Sequence, residues 1–222
     1  MKLYEKLYED DNQSMEDMGS FKLFFKIIQE HYLNLIGLNL LFLICCIPII
    51  TIGPALNGLT KVTMTMARDK PVQIFRDFFT AFRKNVLITI GIGFISTLLF
   101  MMLMLSIQFY MEKSVLIFSV FAGILICLWV YLIVVFLYML NENAYLNLTL
   151  RSIFKNALLL VLATPKTTLM IIVTVILPFY LALKSLSLGV PYLLIGYFSI
   201  SGVIASIMCL KEMNKYITKD SR

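Results

Sequence analysis

Five stretches of the chain carry no Asp, Glu, Lys or Arg: His31 to Thr60, Asn85 to Met111, Ser114 to Asn141, Thr167 to Leu183 and Ser185 to Leu210. They occupy more than half of the 222 residues. A bilayer core about 30 Å thick takes roughly 20 apolar residues to cross as a helix, and most of these runs are long enough. In hydrocarbon each backbone N–H and C=O must find its partner within the segment, and the runs lack the alternation of a barrel strand. The pattern therefore predicts an all-α fold: a polytopic transmembrane helical bundle with five or six spans.

The later runs read as two hairpins, Val86 to Tyr110 with Val115 to Leu140, then Thr167 to Leu183 with Val190 to Leu210. The first run is too long for one crossing and is broken by Pro48, Gly53 and Pro54. Either Leu33 to Ile52 crosses once, giving five spans, or Leu33 to Ile50 goes out, Pro48 to Pro54 turns, and Ala55 to Ala67 returns as a short helix, giving six. The recurrence of Phe21, Phe24, Phe25, Ile28, Tyr32 and Leu35 beside Lys22 and Lys26 favours six, because it suits an interfacial helix feeding the first span. A return helix of about thirteen residues covers only about 20 Å, so it needs bilayer thinning or protein cover.

Outside the spans the clearest signal is Pro71 to Asn85, where Phe75, Phe78, Phe79 and Phe82 fall at i, i+3, i+4 and i+7 and form one stripe. Arg76, Asp77, Thr80, Arg83 and Lys84 take the remaining surface, and Pro71 suits a first helical turn. The expectation is a helix lying along the inner leaflet with its phenylalanines buried, either as a plain anchor or docked on a partner subunit. Arg151 to Asn156 leads in a similar way to Thr164-Pro165-Lys166, so that Lys84-Asn85 and Lys155-Asn156 could be equivalent points of two weak repeats.

Charge then sets an orientation. Thirteen of the nineteen Lys and Arg residues fall in three clusters: Lys61, Arg68, Lys70, Arg76, Arg83 and Lys84; Arg151, Lys155 and Lys166; Lys211, Lys215, Lys219 and Arg222. Short loops rich in Lys and Arg stay cytoplasmic. Both hairpins are thus expected to enter from and return to the cytoplasm, with the C-terminus inside and, in the six-span arrangement, the N-terminus inside as well. The domain plan is an acidic tail over 1–20, one transmembrane domain over 21–210 and a basic tail over 211–222. The tail lacks the apolar segment of a signal peptide and is expected to stay on the mature protein, with Leu3, Tyr4, Leu7 and Tyr8 at the spacing of an amphipathic helix. Mean hydropathy is +0.88 with 60% hydrophobic residues, far from a soluble domain. A net charge of +6 could point to nucleic acid, but the basic residues alternate with Phe and Leu beside the apolar runs. The partner expected for them is the lipid bilayer with its anionic headgroups, and no nucleic acid.

Candidate chemistry is sparse. Cys45, Cys46, Cys127 and Cys209 lie in apolar runs without metal-ligand spacing and read as packing residues, and no cofactor or metal is expected. The intramembrane polar candidates are Asn34 and Asn39 in the first span and Asn57 and Lys61 in the return helix, with Asn141, Glu142 and Asn143 near a cytoplasmic end. The asparagines read as interhelical hydrogen bonders and Glu142 as part of a solvated face. Small residues Gly196, Ser199, Gly202, Ala205 and Ser206 recur along the last span and predict close helix packing, as do Gly91 and Gly93 in an earlier one. The single histidine, His31, has no metalloprotease context and reads as an ordinary interfacial residue. There is no glycine-rich phosphate loop or nucleophile motif, so a non-enzymatic protein is expected.

At Pro48-Ile-Ile-Thr-Ile-Gly-Pro-Ala55, at Ile74-Phe-Arg-Asp-Phe-Phe-Thr-Ala-Phe-Arg-Lys-Asn85 and at Lys155-Asn-Ala-Leu-Leu-Leu-Val-Leu-Ala-Thr-Pro165, the chain resembles the YesL-like family of bacterial membrane proteins. The resemblance covers roughly Phe21 to Leu210, with the three blocks in order. Genes of that family commonly lie beside those of carbohydrate ABC importers and glycan-degrading enzymes. The resemblance therefore implies an accessory role in sugar uptake, with sugar ABC permease subunits as partners, and supplies no catalytic residues. A stand-alone channel or small-solute carrier, and a membrane sensor or assembly factor, are the alternative expectations.

Overall fold

A computed structural model describes residues 19–84, 86–112, 116–145, 149–184 and 186–216. The proposed amphipathic helix of the acidic tail, Asn85, Lys113 and the last basic residues, Lys219 and Arg222, lie outside the described residues. Described residues are overwhelmingly helical, with no strand among them. Among the described residues five helical stretches are long and apolar enough to cross a membrane: Ser20–Cys46, Thr89–Met111, Ile117–Tyr145, Pro165–Ala182 and Gly189–Lys215.

Helix α1 (Ser20–Cys46) is interrupted at His31, whose φ of −125° and ψ of 19° leave the helical region. The break separates an amphipathic entry, with Leu23 and Ile27 buried and Phe21 and Phe25 exposed, from the uncharged span that follows. His31 is therefore the joint between the two, a role its sequence context did not disclose. Asn34 Nδ2 lies 3.2 Å from Nδ1 of the same histidine, so this asparagine bonds locally.

The chain turns after Cys46 through a short 3₁₀ segment, Ile49–Thr51, and re-enters as α2 (Ile52–Ala67). Thr51 Oγ1 lies 2.6 Å from the carbonyls of both Cys45 and Pro48, which covers acceptors that a helix end leaves open. The expected break over Pro48 to Pro54 is thus shorter than anticipated. Gly53 and Pro54 are inside the first turn of α2, where a missing N–H costs no hydrogen bond. At the other end Asp69, at φ 51°, terminates α2 in a Schellman arrangement: its N–H donates to Met66 O at 2.9 Å and that of Lys70 to Thr65 O at 3.1 Å. Lys26 Nζ pairs with Asp69 Oδ2 at 2.6 Å, so the start of α1 meets the end of α2 and the two helices are antiparallel. With 16 residues α2 is too short to count among the five long spans, but 12 of them are buried. Protein, rather than lipid, covers the short return helix.

That cover comes from α1, α3 (Ile74–Arg83), α4 (Val86–Met111), α5 (Leu116–Tyr145) and α10 (Phe198–Tyr216), all of which pack on α2. The phenylalanine stripe of α3 is turned largely inward: Phe78 is fully buried with its ring 2.9 Å from where a β-carbon on Gly58 would stand, and Phe79 and Phe82 pack on the same core. Phe75 is 69% exposed. The lipid-facing anchor expected for the whole stripe is therefore confined to Phe75, because the glycine on α2 opens a slot that a ring fills. Arg76, Arg83 and Lys84 are exposed, with Arg83 over the Phe79 ring.

The α4–α5 hairpin forms as expected and touches the turn of the first hairpin through two glycines. A β-carbon on Gly93 would lie 2.7 Å from Gly53 Cα, whereas Gly91 meets nothing. Next, α6 (Leu150–Ala163) ends at Thr164, whose Oγ1 lies 3.0 Å from Tyr138 Oη. Lys155 and Asn156 sit in mid-helix, while Lys84 caps the end of α3, so the suspected repeat positions are not equivalent.

The last hairpin contains two π-helical turns. Ile172–Ile176 separates α7 (Pro165–Ile171) from α8 (Leu177–Lys184), and Leu193–Tyr197 separates α9 (Leu186–Tyr192) from α10. Pro178 follows the first turn and Pro191 precedes the second, residues that cannot donate to a regular ladder. Tyr197 Oη donates to Val175 O at 2.6 Å and joins the two irregular turns. The helices close tightly at Gly189, where a β-carbon would fall 1.9 Å from Ala182 O. The small-residue face of α10 packs within this same chain: Gly202 meets Thr63, and Ser199, Ala205 and Ser206 are buried.

Candidate functional site

The polar residues of the membrane-depth helices converge on α2. Asn57 and Lys61 stand four residues apart on one face of that helix. Asn57 Nδ2 donates to Ala81 O at 2.8 Å, capping from outside a carbonyl in the last turn of α3. Its Oδ1 accepts from Asn143 Nδ2 at 2.8 Å. Lys61 Nζ donates to Ala144 O at 2.9 Å, in the last turn of α5, where the carbonyl end of the helix dipole favours a cation. Arg68 adds a second cation there, 4.8 Å above the Tyr145 ring. The cost of a lysine at membrane depth is thus offset by a helix terminus that needs a donor.

Asn141, Glu142 and Asn143 are consecutive on α5, so their side chains leave the helix about 100° apart. Each meets a different neighbour. Asn143 reaches α2. Asn141 Oδ1 accepts from Ser206 Oγ of α10 at 2.8 Å, and Ser206 in turn lies 2.9 Å from Thr63 Oγ1 of α2. Glu142 is completely enclosed, with the Asn156 side chain of α6 as polar neighbour and neither carboxylate oxygen in a hydrogen bond of full geometry. The solvated face expected for Glu142 is overturned, because α5 packs on α2, α6 and α10 and this side chain is fully enclosed between them.

Asn39 serves a separate purpose. Its Nδ2 donates to the carbonyls of Leu193 and Leu194 at 3.0 and 2.7 Å, while its Oδ1 accepts from Phe198 N and Ser199 N at 3.0 and 3.3 Å. One amide thereby satisfies both sides of the wide turn at Leu193–Tyr197, where α-helical pairing lapses.

Beside the Asn57–Asn143 pair a half-open cleft of ≈ 440 Å³ of empty volume runs between α2, α4, α5 and α6. Its walls are mostly apolar, with Thr89, Phe136, Leu140, Leu150 and Ile153 around the two amides. All four cysteines are free thiols, and Cys209 is buried as a packing residue. Among the described residues no group of three His, Cys, Asp or Glu is placed to hold a metal.

A family model described as "Protein of unknown function, DUF624" matches residues 35–107, which takes in Asn39, Asn57, Lys61, all of α3 and most of α4. Over that third of the chain the protein is similar to this family. No curated protein and no solved structure matches it.

Proposed function

We propose that the protein is a non-enzymatic accessory subunit of a bacterial carbohydrate ABC import system, lodged in the cell membrane with the basic clusters and both tails on the cytoplasmic side. The observation that carries this reading is the α4–α5 hairpin. Beyond the Gly53–Gly93 contact, α4 continues from Phe94 to Met111, about 26 Å at 1.5 Å per residue. Along that length Ile95, Met102, Leu105, Ile117, Phe121 and Ile124 point away from the bundle. An apolar arm with so little of its own protein around it suits an intramembrane partner such as a permease, and the exposed Arg76, Arg83 and Lys84 suit headgroups or a partner at its base. The resemblance to the YesL-like family, whose genes neighbour sugar importers, supports the same reading.

Copurification from native membranes in mild detergent tests it. Recovery of permease and ATPase subunits with the tagged chain is expected, and repeated recovery of the chain without them overturns the proposal.

The cleft beside Asn57 and Asn143 favours a second reading, a small-solute carrier, since amides on an apolar wall match hydroxylated solutes. Liposomes holding the purified protein that stay impermeable to oligosaccharides and ions exclude it.

A further inference from the structure

A carboxyl group is sealed inside the bundle without a counter-charge. Glu142 is 0% exposed, and both of its oxygens are buried without a hydrogen-bond donor of proper geometry. The same three helices, α5, α6 and α10, are joined by an apolar cluster that includes Tyr138, Ala144, Ala157, Cys209 and Met213. The groups that face it can be named helix by helix. On α5 itself Tyr138 is one turn earlier, with its hydroxyl engaged by Thr164. The amide of Asn156 comes from α6. From α10 come the Cys209 thiol and, further on, Glu212, which accepts from Thr167 of α7. Lys61 of α2 has its ammonium directed at Ala144 O.

An ionised carboxylate in such surroundings carries a desolvation penalty that the single Asn156 amide does not offset, and no cation is paired with it among the described residues. The site must therefore bind something positive. A sodium or calcium ion needs a shell of several oxygens. The groups shown beside it are the Asn156 amide, the Cys209 thiol and the Tyr138 phenol engaged by Thr164, and among the described residues no three His, Cys, Asp or Glu are grouped to hold a metal, so a metal ion does not fit. A proton needs one oxygen only. We propose that Glu142 is an exchangeable proton-binding site at the junction of α5, α6 and α10, and that proton uptake by its carboxylate, giving the neutral acid, is what lets the junction close. The proton comes from water and returns to it, with no other bond made or broken. Release then requires α6 to move off α5, which ties the protonation state to the packing of the Asn141–Asn143 segment against α2 and α10. This inference is independent of the importer reading.

Infrared difference spectroscopy of the full chain in lipid nanodiscs, titrated from about pH 5 to about pH 10, tests it directly, since the whole range lies above the value at which an ordinary carboxyl ionises. At neutral pH the wild-type protein is expected to show the carbonyl stretch of a protonated carboxylic acid that is missing from Glu142→Gln. That band should bleach reversibly at alkaline pH and be unchanged when sodium is replaced by potassium or choline. No Glu142-dependent band at neutral pH overturns the proposal, as does a band that never bleaches or one that depends on the metal cation. A second measurement is thermal unfolding across the same range. With the proton held as proposed, the wild-type folding equilibrium constant should fall with rising pH, by up to tenfold per pH unit until the band is bleached, while Glu142→Gln stays flat over that interval. Parallel curves for the two proteins count against the site even if the variant is less stable throughout.

Discussion

Asn143 donates from its amide to Asn57 Oδ1 across 2.8 Å, joining the end of α5 to the middle of α2, and Asn57 passes the connection on to the carbonyl of Ala81 in α3. The consecutive helices α2 and α3 and the sequence-distant α5 are thereby fixed in rotation about their axes. Apolar packing alone would tolerate slippage, whereas an amide at this depth has few alternative partners. Replacing Asn57 by Leu removes both bonds, leaving Asn143 Nδ2 without its acceptor and Ala81 O with only the Lys84 N–H at 3.2 Å. The expected loss is about 1 to 3 kcal/mol in the unfolding free energy measured in mixed micelles, against about a few tenths for Asn34→Ala, which bonds to His31 within its own helix.

Lys61 caps α5 at Ala144 O with a charge. Lys61→Met keeps the aliphatic stem but removes the donor and the cation. It is expected to cost about 1.5 to 3 kcal/mol and to raise hydrogen-exchange rates in the last turn of α5, a readout that simple loss of packing elsewhere does not produce.

The two hairpins meet at Gly53 and Gly93, where a β-carbon on Gly53 would fall 2.2 Å from Thr89 O and 3.1 Å from Gly93 Cα. Backbone cannot retreat as a side-chain tip can. Gly53→Ala and Gly93→Ala are each expected to destabilise by about 1 to 3 kcal/mol in the same unfolding assay. Gly91→Ala, two residues away with open space around it, should be neutral or slightly stabilising.

Helix α3 separates protein contact from lipid contact within one stripe. Phe78→Ala empties the slot over Gly58 and is expected to cost about 3 to 5 kcal/mol. Phe75→Ala should leave stability within about 0.5 kcal/mol, because that ring is largely outside the protein. Equal effects of the two substitutions on thermal unfolding would contradict the docking of α3 on α2.

Asn39 holds the wide turn of the last hairpin by four contacts from a single side chain. Asn39→Leu is expected to lower stability by about 1 to 3 kcal/mol and to speed exchange of the Phe198 and Ser199 amides selectively. Unchanged protection of those two amides would argue against the role.

The long apolar helices, the two later hairpins and the amphipathic entry before the first span were legible in the residue order. Lipid imposes length, apolarity and internal hydrogen bonding on each segment separately, so local composition suffices. The small face of α10 was legible for the same reason, although its neighbour was not. The candidate site was read only as a set of residue types. Asn57, Lys61 and Asn143 stood out as polar groups in apolar surroundings, but what a polar side chain does there depends on which helix end or amide faces it. Glu142 shows the limit most clearly, since its place beside Asn141 and Asn143 near the end of a span looked like the start of a wet loop.

From its sequence alone, then, this protein was bound to be helical and membrane-embedded, because solvation by hydrocarbon acts on every residue where it stands. Only the tertiary structure decided that a 16-residue helix becomes the centre of the bundle, that one phenylalanine of four stays outside, and that a carboxyl group is enclosed by three helices. Those outcomes follow from packing between distant segments, where a glycine slot or an open carbonyl on one helix selects the side chain that another presents.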